Sequence, residues 1–203
     1  MPVFYKAFML MFSCSPTAYI QEHGISISID TMEEQNMNSY ETDRCTVSLL
    51  QENDFSESLR LLTDEQVRVY LGGPLTEEDA YRRLHFWIEE ADSIHYTIRL
   101  KDTQALIGII AVAPHHDAVR KEVSYQFLPE YWGKGYATET MRWVLAHCRA
   151  NLQLSSVVSE TQSANTNSCK LLERLGYTLD SVLVRFGAEQ RVYAYDLTTD
   201  KFN

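Results

Sequence analysis

The spacing of apolar positions changes along the chain and predicts a mixture of helices and strands. After residue 44, CTVSLL indicates a short strand, and ENDFSESLRLL and TDEQVRVYLGG indicate two short helices. The run Gly72-Gly73-Pro74 ends the second helix. Thr76 and Asp79 form a capping-box pattern that opens a longer amphipathic helix, which extends to about Glu90. Helical spacing of its apolar residues predicts a buried face made of Tyr81, Leu84, Trp87 and Ile88.

After this helix the apolar side chains recur at every second position or in one continuous run, and this pattern predicts three consecutive strands. Residues 94–100 alternate between apolar and polar side chains, LIGIIAVA is a continuous apolar run, and KEVSYQF alternates again. Because only the short turns KDTQ and HHDAVR separate these runs, we expect an antiparallel meander. In the third strand, Val123, Tyr125 and Phe127 share one face, and the opposite, polar face consists of Glu122, Ser124 and Gln126.

The remaining chain alternates between helices and strands. A helix is predicted to run to about Asn151, and NTNSCKLLERLGY is a second helix that ends at Gly176. The strand SSVVSE lies between them, and its helical crossover predicts that it runs parallel to the strand before the glycine-containing segment. Two final strands surround a turn at Gly187. The fold class is therefore α+β (mixed α/β), with a mostly antiparallel sheet flanked by helices, rather than a doubly wound parallel sheet.

The N-terminal part of the chain differs from the rest. We predict that residues 1–43 form an extension outside the main fold and that residues 44–203 form one domain. The apolar run Ala7–Phe12 is too short for a secretory signal and far too short to span a bilayer. The four cysteines show no CxxC spacing, which favours a reducing compartment. These features predict a cytoplasmic protein that does not associate with membranes.

Charge narrows the possible partners. The net charge of −10 argues against nucleic-acid binding, which needs an excess of lysine and arginine, and is compatible with a cationic substrate. The run His115-His116-Asp117 could suggest a metal site, but consecutive ligands at a hairpin tip give poor coordination geometry. We therefore predict no metal. A monomer and a homodimer are both compatible with the sequence.

Two of the 8 glycines stand at the mouth of a helix, in the segment LPEYWGKGYATET. Gly133 and Gly135 would let the backbone approach an anion, and the next residues would present the first free N–H groups of a helix. A tight loop that needs positive φ, without any ligand, explains the glycines equally well. The segment does not fit the Walker A pattern, and Thr138 replaces the third glycine of the Rossmann fingerprint. Glu160 does stand where that fingerprint expects an acidic residue, but the preceding meander opposes a Rossmann fold.

The same residues resemble a known family. PEYWGKGYATET is similar to motif A of the GNAT acyltransferases, [QR]-x-x-G-x-[GA], and NTNSCKLLERLGY is similar to the family's following motif. The combination with Asn165 and Ser168 resembles the RimJ/RimL-like branch, and the resemblance covers about three quarters of the chain. Two positions depart from the pattern. Glu130 replaces the usual glutamine or arginine, and Leu172 stands where many members carry a tyrosine general acid, which puts a tyrosine-assisted mechanism in doubt.

The resemblance implies the fold, the substrates and the site. A parallel βαβ splay would hold acetyl-CoA as the acyl donor, and the acceptor would be an amine, either a protein N-terminus or a small molecule. Glu122 would be the general base, and Ser168 would hydrogen-bond the thiolate. An ordinary solvent-facing glutamate of an alternating strand and a local helix cap remain the alternatives for these two residues. Asn165 would hold the pantetheine arm or cap its own helix. The segment from Val69 to Thr76 would line the acceptor side. The implied acetyl-CoA contacts are Phe127, Leu128, Gly133, Lys134, Gly135, Tyr136, Ala137, Thr138, Asn165 and Ser168.

Two alternatives stay open. The first is an acyl-CoA-binding module without catalysis, which Glu122 and Ser168 lying far from the thioester would favour. The second is a dinucleotide-binding oxidoreductase, which would bind NAD(P) rather than CoA.

Overall fold

The computed structural model describes residues 39–199 as an eight-stranded sheet with helices on both faces. Short 3-10 turns precede the first and fourth helices, at Glu52–Asp54 and Pro129–Tyr131. The elements in chain order are β1 (Ser39–Glu41), β2 (Cys45–Leu49), α1 (Phe55–Thr63), α2 (Glu65–Arg68), α3 (Glu77–Glu89), β3 (Ile94–Leu100), β4 (Leu106–Pro114), β5 (Lys121–Phe127), α4 (Tyr136–Ala150), β6 (Ser156–Gln162), α5 (Thr166–Leu175), β7 (Thr178–Arg185) and β8 (Ala188–Asp196).

The strands are ordered β1-β2-β3-β4-β5-β6-β8-β7, and every neighbouring pair is antiparallel except β5 and β6. The predicted meander is thus β3–β5, and the predicted parallel strand is β6. This confirms the mixed α+β fold. Strand β1 falls within the range assigned to the N-terminal extension, so the sheet begins before residue 44. Residues 1–38, which make up most of that extension, lie outside the described part of the chain.

Strands β5 and β6 pair at a single position, where Glu122 lies opposite Val158. Beyond that position the two strands part. The backbone groups that face the resulting gap follow from the pairing on the other side of β5. Because Leu128 N–H donates to the Ile107 C=O at 2.9 Å, antiparallel alternation turns the backbone of Tyr125 and Phe127 towards the gap.

Apolar side chains cover both faces of the sheet. One layer joins the sheet to α4 and α5 through residues such as Met141, Leu145 and Leu172. The other joins it to the first three helices through residues such as Leu61 and Leu84. In α3, Leu84 is fully buried as predicted, but Tyr81 and Ile88 are 40% and 36% exposed. The prediction of a broad buried face was wrong there, because α3 packs along a narrow line that includes Ala80 and Leu84.

Among residues 39–199, every helix is too short or too polar to cross a membrane.

Candidate active site

The two glycines of the strand-to-helix turn adopt left-handed backbone conformations. Gly133 has φ +70°, and Gly135 has φ +85° and caps the N-terminus of α4. A Cβ at Gly133 would meet open space, whereas at Gly135 it would lie 3.3 Å from Nη2 of Arg44. The turn therefore needs glycine for its conformation, and it also leaves the first N–H groups of α4 open. An open row of N–H groups at a helix N-terminus suits a phosphate group.

A cavity of about 880 Å³ begins at this turn and passes through the gap between β5 and β6. Its lining shows which predicted site residues come together. Seven of the ten predicted acetyl-CoA contacts contribute to it: Phe127, Gly133, Gly135, Ala137, Thr138, Asn165 and Ser168. The segment after α2, which is predicted to line the acceptor side, also reaches the cavity, through Val69, Tyr70 and Leu71.

The other three predicted contacts lie outside the lining. Leu128 is buried and its N–H faces β4, so only the neighbouring strand positions can pair with a ligand in the gap. Lys134 extends towards the Tyr131 ring, with its Nζ 5.7 Å from the ring centroid. The Arg44 guanidinium lies over the Tyr136 ring, with its Cζ 4.4 Å from the ring centroid. At Phe127 the C=O accepts a hydrogen bond from the Trp132 indole at 2.6 Å, which leaves the N–H for the gap.

A serine and a tyrosine meet on the α5 side of the cavity. Ser168 Oγ lies 2.8 Å from Tyr125 Oη, and both residues line the cavity. Burial raises the pKa of Tyr125 to about 12, although the hydrogen bond with Ser168 opposes this shift. The phenol therefore stays protonated at neutral pH and can donate. Asn165 caps α5, with its side-chain oxygen accepting from Ser168 N–H at 3.2 Å.

Two glutamates lie where β5 and β6 part. Glu122 Oε1 accepts a hydrogen bond from Glu160 N–H at 3.3 Å. Burial raises the pKa of Glu122, and this hydrogen bond opposes the shift. Glu160 lines the cavity, whereas Glu122 is not among the lining residues and reaches it only through its contact with the Glu160 backbone. The predicted base therefore adjoins the cavity without forming its wall.

The two departures from the family pattern have structural counterparts. Glu130 receives two hydrogen bonds from the Arg60 guanidinium on α1, at 2.7 and 3.2 Å, and this pair lowers the pKa of Glu130. The carboxylate at this position thus faces a basic partner outside the glycine turn. Leu172 is 1% exposed within the apolar layer under α5, so it offers no proton donor. Tyr125 on β5 places a phenol in the cavity lining beside Ser168.

Three residues of this site were not predicted from sequence. Tyr125 was assigned to the apolar face of its strand, and Glu160 was considered only as the acidic residue of a Rossmann fingerprint. Arg44 lies far from the glycines in sequence but contacts the turn, with Nη1 donating to the Lys134 C=O at 3.0 Å. The sequence did show that Glu160 is a polar residue within a predicted strand, which could have marked it as a candidate. Nothing in the sequence around Arg44 indicated that it contacts the glycine turn.

Comparisons with known proteins agree with this geometry. The family model described as "Acetyltransferase (GNAT) domain" matches residues 44–178. The uncharacterized N-acetyltransferase YoaA of Bacillus subtilis (strain 168) is 28% identical over 154 residues, covering 72% of this chain and 86% of that protein.

Two solved structures share the fold. A GNAT-family acetyltransferase from Bacillus anthracis matches with a TM-score of 0.70 at 20% identity, over 79% of this chain and 99% of that chain. A spermidine N-acetyltransferase from Vibrio cholerae, solved in complex with CoA and spermine, matches with a TM-score of 0.67 at 15% identity, over 76% of this chain and 96% of that chain. The glycine turn, the parted strands and the matched domain together establish that this chain belongs to the GNAT acetyltransferase family and is an acyltransferase.

Proposed function

We propose that the protein transfers an acetyl group from acetyl-CoA to a primary amine by direct attack. The observation that carries this proposal is the cavity itself. It joins the glycine turn at the N-terminus of α4 to the gap between β5 and β6, and it continues to the polar side of the sheet where Glu160 lies. One continuous space can therefore receive a donor and an acceptor from different sides.

The glycine-turn side suits CoA. The N–H groups of the first turn of α4 would bind the pyrophosphate, and the backbone of Tyr125 and Phe127 would pair with the pantetheine amides as an added strand would. A volume of about 880 Å³ lies within the range of small-molecule and cofactor sites. When bound, acetyl-CoA supplies an activated acetyl thioester. The protein's own residues supply binding, orientation and proton transfer.

Glu122 is proposed as the general base. A primary amine of the lysine type has a pKa of about 10.4 and must lose a proton before it can attack. The burial of Glu122 raises its pKa towards the working range of a base, and Glu160 N–H holds its carboxylate in place. Because Glu122 contacts a lining residue without lining the cavity itself, it would act through an intervening water.

Ser168 and Tyr125 are proposed to provide the hydrogen-bond donor on the thioester side. Their hydroxyl groups are 2.8 Å apart, so either can donate to the other. Ser168 Oγ–H would donate a hydrogen bond to the departing sulfur, and the phenol of Tyr125, which its pKa of about 12 keeps protonated, would donate to Ser168 Oγ and hold it in this orientation. CoA would leave as the thiolate and take up its proton from solvent. This hydrogen-bonding pair takes the place of the general-acid tyrosine that Leu172 cannot provide.

Release of CoA thiol in the presence of different acceptors tests this proposal. The panel contains spermidine, an aminoglycoside and basic peptides with free N-termini, and the blank contains acetyl-CoA alone. We expect thiol release that depends on the acceptor and an acceptor product heavier by one acetyl group. Binding of acetyl-CoA without acceptor-dependent release would favour the non-catalytic acyl-CoA-binding module instead.

A further inference from the structure

We propose that Glu160 binds the protonated amino group of the acceptor and that His115 holds Glu160 in position for this role. The inference rests on the proposed function, and it assigns the acceptor to the class of amines that carry a positive charge in solution.

Glu160 has one anchored and one free oxygen. Its side chain is 7% exposed, and Oε2 lies 2.9 Å from His115 Nε2 and 2.7 Å from Arg185 Nη1. Oε1 is buried and has no hydrogen-bond partner within residues 39–199. A buried carboxylate oxygen without a donor is costly, so a ligand that brings a donor would remove an existing penalty.

A second buried acceptor without a donor lines the same cavity. Oε1 of Gln126 also has no partner in the described part of the chain. The pairing of Glu122 with Val158 places Gln126 and Glu160 on the same face of the sheet, since both are an even number of residues from that pair. An ammonium group carries three N–H donors and a positive charge, so it can donate to an oxygen of this kind and also match the charge of the Glu160 carboxylate.

The surrounding charges favour a cation. Within this group of contacts there are four carboxylates, those of Glu122, Glu160, Asp117 and Asp180. The cations in contact with them are at most three: the guanidiniums of Arg185 and Arg120, and the ring of His115 when it is protonated. Arg185 neutralises Oε2 of Glu160 but leaves Oε1 free. The carboxylates therefore outnumber the cations in contact with them, and an amine with a positive charge would restore the balance.

His115 is a positioning residue in this arrangement. Its side chain is 2% exposed and connects the hairpin between β4 and β5 to β6. Asp117 presents a backbone N–H at 3.3 Å and a carboxylate oxygen at 3.0 Å to His115 Nδ1, so this nitrogen has a partner whether or not it carries a hydrogen. His115 Nε2 can then remain directed at Glu160 Oε2. These contacts give the segment from His115 to Asp117 a role that does not involve a metal, namely to hold Glu160 in position.

Acceptor kinetics test the inference through two substitutions. Glu160→Gln keeps the shape but removes the charge, and we expect the KM for spermidine or n-butylamine to rise at least tenfold while the Kd for acetyl-CoA is unchanged. The matched control is Glu189→Gln on β8, an exposed glutamate outside the cavity lining, which should behave as wild type. An unchanged KM in Glu160→Gln would overturn the inference.

The role of His115 is tested by a conservative and a non-conservative substitution. His115→Gln retains an N–H donor for Glu160 and should keep the KM near the wild-type value, whereas His115→Leu should raise it as Glu160→Gln does. Melting temperatures and acetyl-CoA affinities separate a loss of positioning from a loss of folding. Equal KM values in the two variants, with both proteins folded, would contradict the positioning role.

Amine binding is also measured without turnover, so that the two proposals can fail separately. In the presence of CoA, n-butylamine should raise the melting temperature of the wild type but not that of Glu160→Gln. Binding without acetylation would preserve this inference and refute the proposed function. Acetylation that Glu160→Gln leaves unchanged would refute the inference and preserve the proposed function, and absence of amine binding to the wild type would refute the inference.

Discussion

Arg44 Nε donates to Glu139 Oε2 at 2.7 Å, and this contact ties the turn between β1 and β2 to the first turn of α4. Glu139 Oε1 also accepts from Arg44 N–H at 2.7 Å and from the Thr42 hydroxyl at 2.6 Å. One carboxylate thus receives donors from two residues of the neighbouring turn, while Arg44 Nη1 reaches the Lys134 C=O within the glycine turn. Partial burial would raise the pKa of Glu139, but the hydrogen bonds from the Thr42 hydroxyl and from Arg44 outweigh burial and lower this pKa.

This contact predicts an effect on cofactor affinity. In Glu139→Gln the charge is lost and the glycine turn loses part of its support, so the Kd for acetyl-CoA should rise roughly five- to tenfold, which corresponds to about 1 kcal/mol. The expected change is small because the Arg44 side chain is 47% exposed and its charge is screened by solvent. Isothermal titration with acetyl-CoA measures the change.

The exposed pair Lys101–Glu41 provides the control, because it joins the same part of the sheet without contacting the turn. Glu41→Gln should leave the Kd for acetyl-CoA unchanged. If Glu139→Gln also binds acetyl-CoA as tightly as wild type, Arg44 and Glu139 do not support the cofactor site.

Glu130, the residue that departs from the family motif, should be dispensable for binding. Its pair with Arg60 is exposed, with 44% and 57% of the two side chains accessible, and such pairs contribute about 0–1 kcal/mol. We expect Glu130→Gln to change the melting temperature by less than about 3 °C and to retain acetyl-CoA binding. Loss of binding would show that the carboxylate acts directly in the glycine turn.

If Glu122 is the general base, its protonation should determine how kcat falls on the acidic side of the pH–rate profile. As a base it must be ionised, so kcat should fall as the pH decreases through its pKa. Because burial raises that pKa, the fall should begin at higher pH than for an ordinary glutamate. Glu122→Gln should lower kcat by about 10²-fold or more and remove this acidic limb, with little change in the Kd for acetyl-CoA. A profile identical to that of wild type would identify Glu122 as an ordinary glutamate of the strand.

Removal of the Tyr125 hydroxyl should have a smaller effect on kcat than removal of the Glu122 carboxylate. In Tyr125→Phe, Ser168 loses its hydroxyl partner, and kcat should fall roughly tenfold while the KM for the acceptor stays constant. Ser168→Ala should cause at least as large a decrease, and the double variant should be no slower than Ser168→Ala, because both residues act through one donor. Additive losses in the double variant would contradict a shared role.

The sequence specified the fold well because each step depended on a local pattern. Alternation in residues 94–100 and in KEVSYQF predicted the meander, and the helical crossover predicted the parallel pairing of β6 that positions the cavity. The positive φ of Gly133 and Gly135 was likewise expected from residue type and context. The RimJ/RimL-like branch and the roles of individual site residues stay predictions.

The contacts that the sequence did not reveal join distant parts of the chain. Arg44 and Glu139 are 95 residues apart, Arg60 and Glu130 are 70 apart, and His115 and Glu160 are 45 apart. A polar residue in an alternating strand can face solvent or a cavity, and only the packing of the neighbouring elements distinguishes the two. For this reason the sequence did not predict that Glu160 contacts His115 or that Tyr125 contacts Ser168.

The most direct test of the central claim is the melting temperature of the wild type and of Gly135→Asp with and without acetyl-CoA. At millimolar concentration, acetyl-CoA should raise the melting temperature of the wild type by several degrees, whereas NAD(H) should not. Gly135→Asp places a carboxylate and a Cβ in the turn, where φ is +85°, and its folded form should show no shift with acetyl-CoA. Absence of a shift in the wild type, or stabilisation by NAD(H) alone, would contradict an acetyl-CoA site between β5 and β6.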